Sequence, residues 1–127
     1  MGKVGDKVNG VQEVVNKLMA NNFSNQELEQ YLESSLVLIK VNAIIAVLKN
    51  KITEKSIIHK LNYISQNIQR EPKVLGEWTP GHYAMAALYL LNTKDTQEIY
   101  NNNNKKLDEY AKDGIKKLIE QIPYMLS

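Results

Sequence analysis

At 127 residues, with 43% hydrophobic and 24% charged residues, the chain has the composition of one soluble globular domain with a single core. The formal charge is only +2, and Arg70 is the sole Arg among 16 basic residues, which argues against nucleic acid as the partner because the bidentate fork suited to phosphates and base edges is almost missing. Cysteine is absent, which excludes disulfides, thiolate nucleophiles and thiolate metal sites.

The N-terminal Met1–Asp6 segment has no apolar stretch of signal-peptide length, so a cytoplasmic protein is expected. The longest apolar run, Leu36 to Leu48, is interrupted by Lys40 and Asn42 and is too short to span a bilayer. No membrane role is expected.

Taken in chain order, the periodicity predicts about six helices and no strands, an all-α fold. Val8, Val11, Val15 and Leu18 recur at helical spacing in a first helix that should fray before Asp6 and stop at Asn21-Asn22. Ser24-Asn-Gln-Glu27 has the form of a capping box, opening a short second helix with Leu28, Tyr31 and Leu32 inward. A third helix, Leu36 to Lys49, is apolar on nearly every face and is expected at the centre of the fold. Thr53 can cap a fourth, whose Ile57, Leu61, Ile64 and Ile68 form one stripe opposite Lys60, Asn62, Gln66 and Asn67. Thr79-Pro80 sets the start of a fifth through Leu91, with proline where its missing amide costs nothing. After a polar break, Leu107 to Ile122 traces a last helix, weakened by Gly114 and ending near Pro123. Two connections stand out: Arg70 to Trp78, read as a loop, and the Asn101 to Asn104 run, read as a solvated connection. A single domain over 1–127 follows, with 1–5 and 101–105 flexible.

Chemistry-bearing residues give little. His59 and His82 are the only histidines, too few for a zinc site without carboxylates such as Glu54 or Glu77. Ser56 lies one turn before His59, but a Ser on a helix surface has no oxyanion hole. Glu27, Glu29 and Glu33 read as solvated carboxylates, and no glycine pattern fits a nucleotide loop. No catalytic residue, metal site or cofactor is expected, and the chain reads as a non-enzyme. Trp78 has two open readings: a seal over the end of the fifth helix, or an interface anchor together with His82 and Tyr83, rimmed by Glu71 and Glu77. These five are the candidate partner-binding residues.

Asn42-Ala-Ile-Ile-Ala-Val-Leu48 and Tyr83-Ala-Met-Ala-Ala-Leu-Tyr89 echo each other, each on the second helix of a pair. The pairing from Ser24 to Asn92 resembles HEAT-like helical repeats, with the first and last helices as caps; a compact irregular bundle is the other architecture considered. An apolar Tyr-Ala-Met-Ala-Ala-Leu helix after a Trp-bearing loop is similar to small bacterial immunity proteins. That resemblance implies a protein partner, a toxin blocked by steric occlusion, with Glu71 and Glu77 facing basic groups if the toxin is a nuclease. The alternative is a small helical nucleic-acid-binding or regulatory module using its Lys residues.

Overall fold

Ser24 closes the capping box that its sequence announces: the Glu27 amide donates to Ser24 Oγ at 3.1 Å, and the Ser24 amide donates to Glu27 Oε1 at 2.9 Å. Local signals of this kind set the elements of the computed structural model, which describes residues 3–68 and 78–126. The described residues form seven helices and no strand element: α1 Lys3–Met19, α2 Asn25–Leu32, α3 Val37–Lys49, α4 Lys55–Gln66, α5 Pro80–Leu91, α6 Lys94–Asn104 and α7 Glu109–Met125. The chain is all-α.

The helices pack in two rows. Helices α2, α4 and α6 neighbour one another in succession, as do α1, α3, α5 and α7, and the contacts α2–α3, α4–α5 and α5–α6 join the rows. The core lies between them, built on Leu28 and Leu32 of α2, Ile44 and Val47 of α3, Ile57 and Leu61 of α4, Met85 and Leu88 of α5, and Ile115, Leu118 and Ile122 of α7.

The centre belongs to α5, which corrects the expectation for α3. Every residue from Pro80 to Leu88 is buried, because α5 has α3 and α7 on its flanks and α4 and α6 across the core. Helix α3 is equally apolar, yet its main contacts are with α1, α2 and α5. A stripe of Leu38, Asn42, Ile45 and Lys49 is left facing outward, with Leu38 and Lys49 exposed. Ala43 and Ala46 of α3 and Ala84, Ala86 and Ala87 of α5 are all buried, so the echoed small residues serve close packing.

Three boundaries and one whole element differ from expectation. Helix α1 starts at Lys3 instead of fraying before Asp6. Helix α4 takes Glu54, not Thr53, as its N-cap, and no side chain caps it. Its missing cap is offset by a tie within the row, since Asn25 Nδ2 donates to Glu54 Oε1 at 2.5 Å. Pro123 sits inside the last turn of α7, where the lost amide disturbs little of the helix that remains. The largest difference is α6 itself, which occupies the expected polar break. Thr93 and Thr96 form its capping box, and Asn101 to Asn104, read as a solvated connection, are its final turn. Asn103 is buried there, donating to Asn62 Oδ1 at 2.9 Å and Ser65 Oγ at 2.8 Å.

Two helix ends are built alike. After α1, Asn22 N donates to Lys17 O and Asn21 N to Leu18 O; after α3, Ile52 N donates to Val47 O and Lys51 N to Leu48 O, both the paired bonds of a Schellman motif. The ends are tied together, Asn50 Nδ2 to Asn21 Oδ1 at 3.1 Å and Lys49 Nζ to Met19 O at 3.3 Å, so α1 and α3 run parallel with their C-termini side by side. The motif requires a left-handed residue, supplied by Asn21 (φ 59°) in one and Lys51 (φ 51°) in the other. Asn tolerates that conformation and Lys does not. Replacing Lys51 with Gly removes the Cβ conflict and is expected to stabilise the fold by about 0.5–1 kcal/mol, a rise in Tm of roughly 2–5 °C. An unchanged or lower Tm by calorimetry would contradict this account of the turn.

Glu27 carries the fold's clearest pH signature. Its carboxyl is held below the usual carboxylate range by the Ser24 backbone amide first and then by Lys17, whose ammonium lies 3.3 Å away and is pushed up in turn. A depressed carboxyl stabilises the folded state above its unfolded pKa, and that contribution is lost as pH falls through the folded one. Melting curves taken from ~pH 6 to ~pH 3 should therefore fall less steeply for Glu27→Gln than for the native chain. Parallel curves would show that the pair contributes nothing.

Candidate partner-binding face

Three of the residues singled out in the sequence meet at the start of α5, but they face inward. Thr79 and His82 cap the helix reciprocally: His82 Nδ1 accepts the Thr79 amide at 3.1 Å, which leaves the ring proton on Nε2 in the neutral imidazole. Thr79 Oγ donates to Ile68 O at 2.6 Å and so binds the end of α4 to the start of α5. His82 is 6% exposed and Tyr83 2%, and burial pushes the Tyr83 hydroxyl above its ordinary pKa. Trp78 is half-buried, its ring 5.5 Å from that of His82 and tilted by 48°. Across from it lies Gly114 of α7, so close that a Cβ there would meet Trp78 Cζ3 at 2.5 Å. The cluster locks α5 to α4 and α7. It leaves His82 and Tyr83 without the outward surface that an interface anchor needs, while Trp78, half-buried, packs between the start of α5 and α7. Glu71 and Glu77, with the expected loop around them, lie outside the described residues.

A ladder of exposed polar side chains runs along the α2–α4–α6 row. Besides the Asn25–Glu54 contact, Ser56 Oγ donates to Glu29 Oε2 at 3.2 Å and Lys60 Nζ to Glu33 Oε2 at 2.6 Å, a polar ladder joining α2 to α4. The Ser56 proton is thus directed at Glu29, and the Ser56–His59 pairing considered from the sequence does not form. Because Ile57, Leu61 and Ile64 turn α4 into the core, His59 and Tyr63 project on its opposite side, one turn apart.

A groove runs along each flank of α4. Toward α2 it measures about 440 Å³, with Leu32 and Ile64 as apolar lining beside Lys40, Lys60 and Tyr63. Toward α6 it measures about 340 Å³, with Ile58 and Ile99 beside Asn62, Asp95, Glu98 and Asn102. His59 borders both grooves. Tyr63 stands on the rim of the α2-side groove at 67% exposure, a large rigid aromatic left in water on the middle helix of the row. Tyr63 is not among the candidate residues read from the sequence; the signal for it is its i+4 position from His59, opposite the Ile57–Leu61–Ile64 stripe.

Among the described residues, no group of three or more His, Asp or Glu side chains is placed to hold a metal ion, and no helix is long and apolar enough to cross a membrane. No family model, curated protein or solved structure matches the chain.

Proposed function

We propose that the chain is a non-enzymatic protein-binding domain of stacked helical hairpins that docks one partner on the α2–α4–α6 face. The observation that carries this is Tyr63, exposed on the rim of the α2-side groove, one turn from His59 at the border of both grooves, an aromatic anchor beside a pocket. The two-row packing supports the hairpin reading, in which each added pair extends a continuous outer surface. The most concrete form of the proposal is a cytoplasmic immunity protein that neutralises a toxin by covering its active cleft. Asp95 and Glu98 then take the place assigned from the sequence to Glu71 and Glu77, facing basic groups of a nuclease.

The test is co-expression with the product of the adjacent reading frame. The native chain should form a stable complex, and a His59→Ala/Tyr63→Ala double variant, whose side chains lie outside the core, should keep its melting temperature and lose at least about tenfold in affinity, as for truncation of an aromatic hot spot. Undiminished affinity in the folded double variant would overturn the assignment of this face.

A further inference from the structure

A third groove, of about 590 Å³, lies between the end of α4 and the turn from α6 into α7, at the C-terminal end of the α4–α6 pair. Its volume is in the range of small-molecule sites, about 300–1,000 Å³. One of its lining residues is Asn103, 8% exposed. Both hydrogens of its amide are committed to α4: Nδ2 donates to Asn62 Oδ1 and to Ser65 Oγ, while the Ser65 hydroxyl donates to Asn62 O at 2.7 Å and so can only accept from Asn103. That fixes the amide orientation and leaves Asn103 Oδ1, which solvent reaches, without a protein partner among the described residues.

The rest of the lining has a consistent polarity. Asp108 uses one carboxylate oxygen to cap α7, accepting the Ala111 amide at 2.8 Å, and keeps the other. Lys106 offers an ammonium, and Ile68 and Leu107 supply apolar wall. Acceptors, a cationic donor and apolar surface thus line one groove.

We propose that this groove binds a small zwitterion with an apolar body, of the α-amino-acid class. Its ammonium is taken by Asn103 Oδ1 and the Asp108 carboxylate, its carboxylate or carbonyl by Lys106, and its side chain by Ile68 and Leu107. A free amino acid and the first residue of a peptide share this chemistry.

Titration of the full chain, followed by amide NMR, tests it with four probes: leucine, the dipeptide Leu-Gly, 3-methylbutylamine and 4-methylpentanoate. Leucine or Leu-Gly should give saturable shifts at the Asn103 side-chain amide and at the backbone of 106–108, and which of the two binds identifies the source. The amine and the acid alone should bind at least about tenfold more weakly, each lacking one charged contact. Asp108→Ser keeps a good N-cap while removing the carboxylate, so the variant should fold and lose at least about tenfold in affinity. No saturable shift with leucine or Leu-Gly up to ~20 mM, an equal response to the acid alone, or undiminished affinity in Asp108→Ser would each overturn the site.

Discussion

Gly81→Ala is expected to be the most damaging small substitution in the chain, at about 3 kcal/mol, the upper end of ordinary overpacking, with a fall in Tm of roughly 10 °C. Gly81 is the second residue of α5, and Thr79 Oγ holds that helix start against the Ile68 carbonyl. A Cβ at 81 would lie 2.4 Å from Ile68 Cα and 2.7 Å from its Cβ. The obstacle is backbone, so shortening Ile68 to Ala should give no rescue in a double variant. Chemical denaturation of the two single variants and the double measures this directly. Near-native stability of Gly81→Ala would mean that the ends of α4 and α5 are not in close contact.

Gly114→Ala sets up the contrary case. In a helix interior the change should help by about 1 kcal/mol on propensity alone. The new methyl would instead meet Trp78 Cζ3 at 2.5 Å, Trp78 Cε3 at 3.2 Å and His82 Cδ2 at 3.3 Å, all atoms of side chains. We expect net destabilisation of about 1–2 kcal/mol as the indole is displaced. The emission of this single Trp should shift to longer wavelength as the ring meets more water. Because the clash is with a side chain, Trp78→Leu should relieve it, giving a coupling of about 1 kcal/mol or more in a double-mutant cycle. A gain in stability with unchanged emission would contradict the Trp78–Gly114 contact.

These two glycines show where sequence reading stops. Gly114 looked like a weak point of the last helix and is the hole into which Trp78 fits; nothing adjacent in sequence reports a contact across 36 residues. Local chemistry was legible: Ser24 with Glu27 and Thr79 with Pro80 announced their helix starts, and the Ile57–Leu61–Ile64 stripe oriented α4 correctly. Helix α6 was not legible, because its Asn run has poor intrinsic propensity and the helix is held by tertiary bonds from Asn103 to Asn62 and Ser65. Nor could composition rank α3 against α5. Both are apolar all round, and α5 is central only because later helices, α6 and α7, come back to cover it.

The same limit applied to the candidate site. Aromatic residues beside a Pro and a His suggested an anchor, but at a helix start those residues serve as cap and seal, with His82 accepting the Thr79 amide. Burial separates the two uses, and among the exposed aromatics Tyr63 is the one that lines a groove with His59.

Hydrogen–deuterium exchange on the chain, alone and in complex with the product of the adjacent reading frame, tests the α2–α4–α6 face most directly. Peptides spanning 55–66 should gain protection, with smaller gains over 25–33 and 94–102, while α7 stays unchanged. Protection confined to α7, or to the outward stripe of α3, would contradict the account.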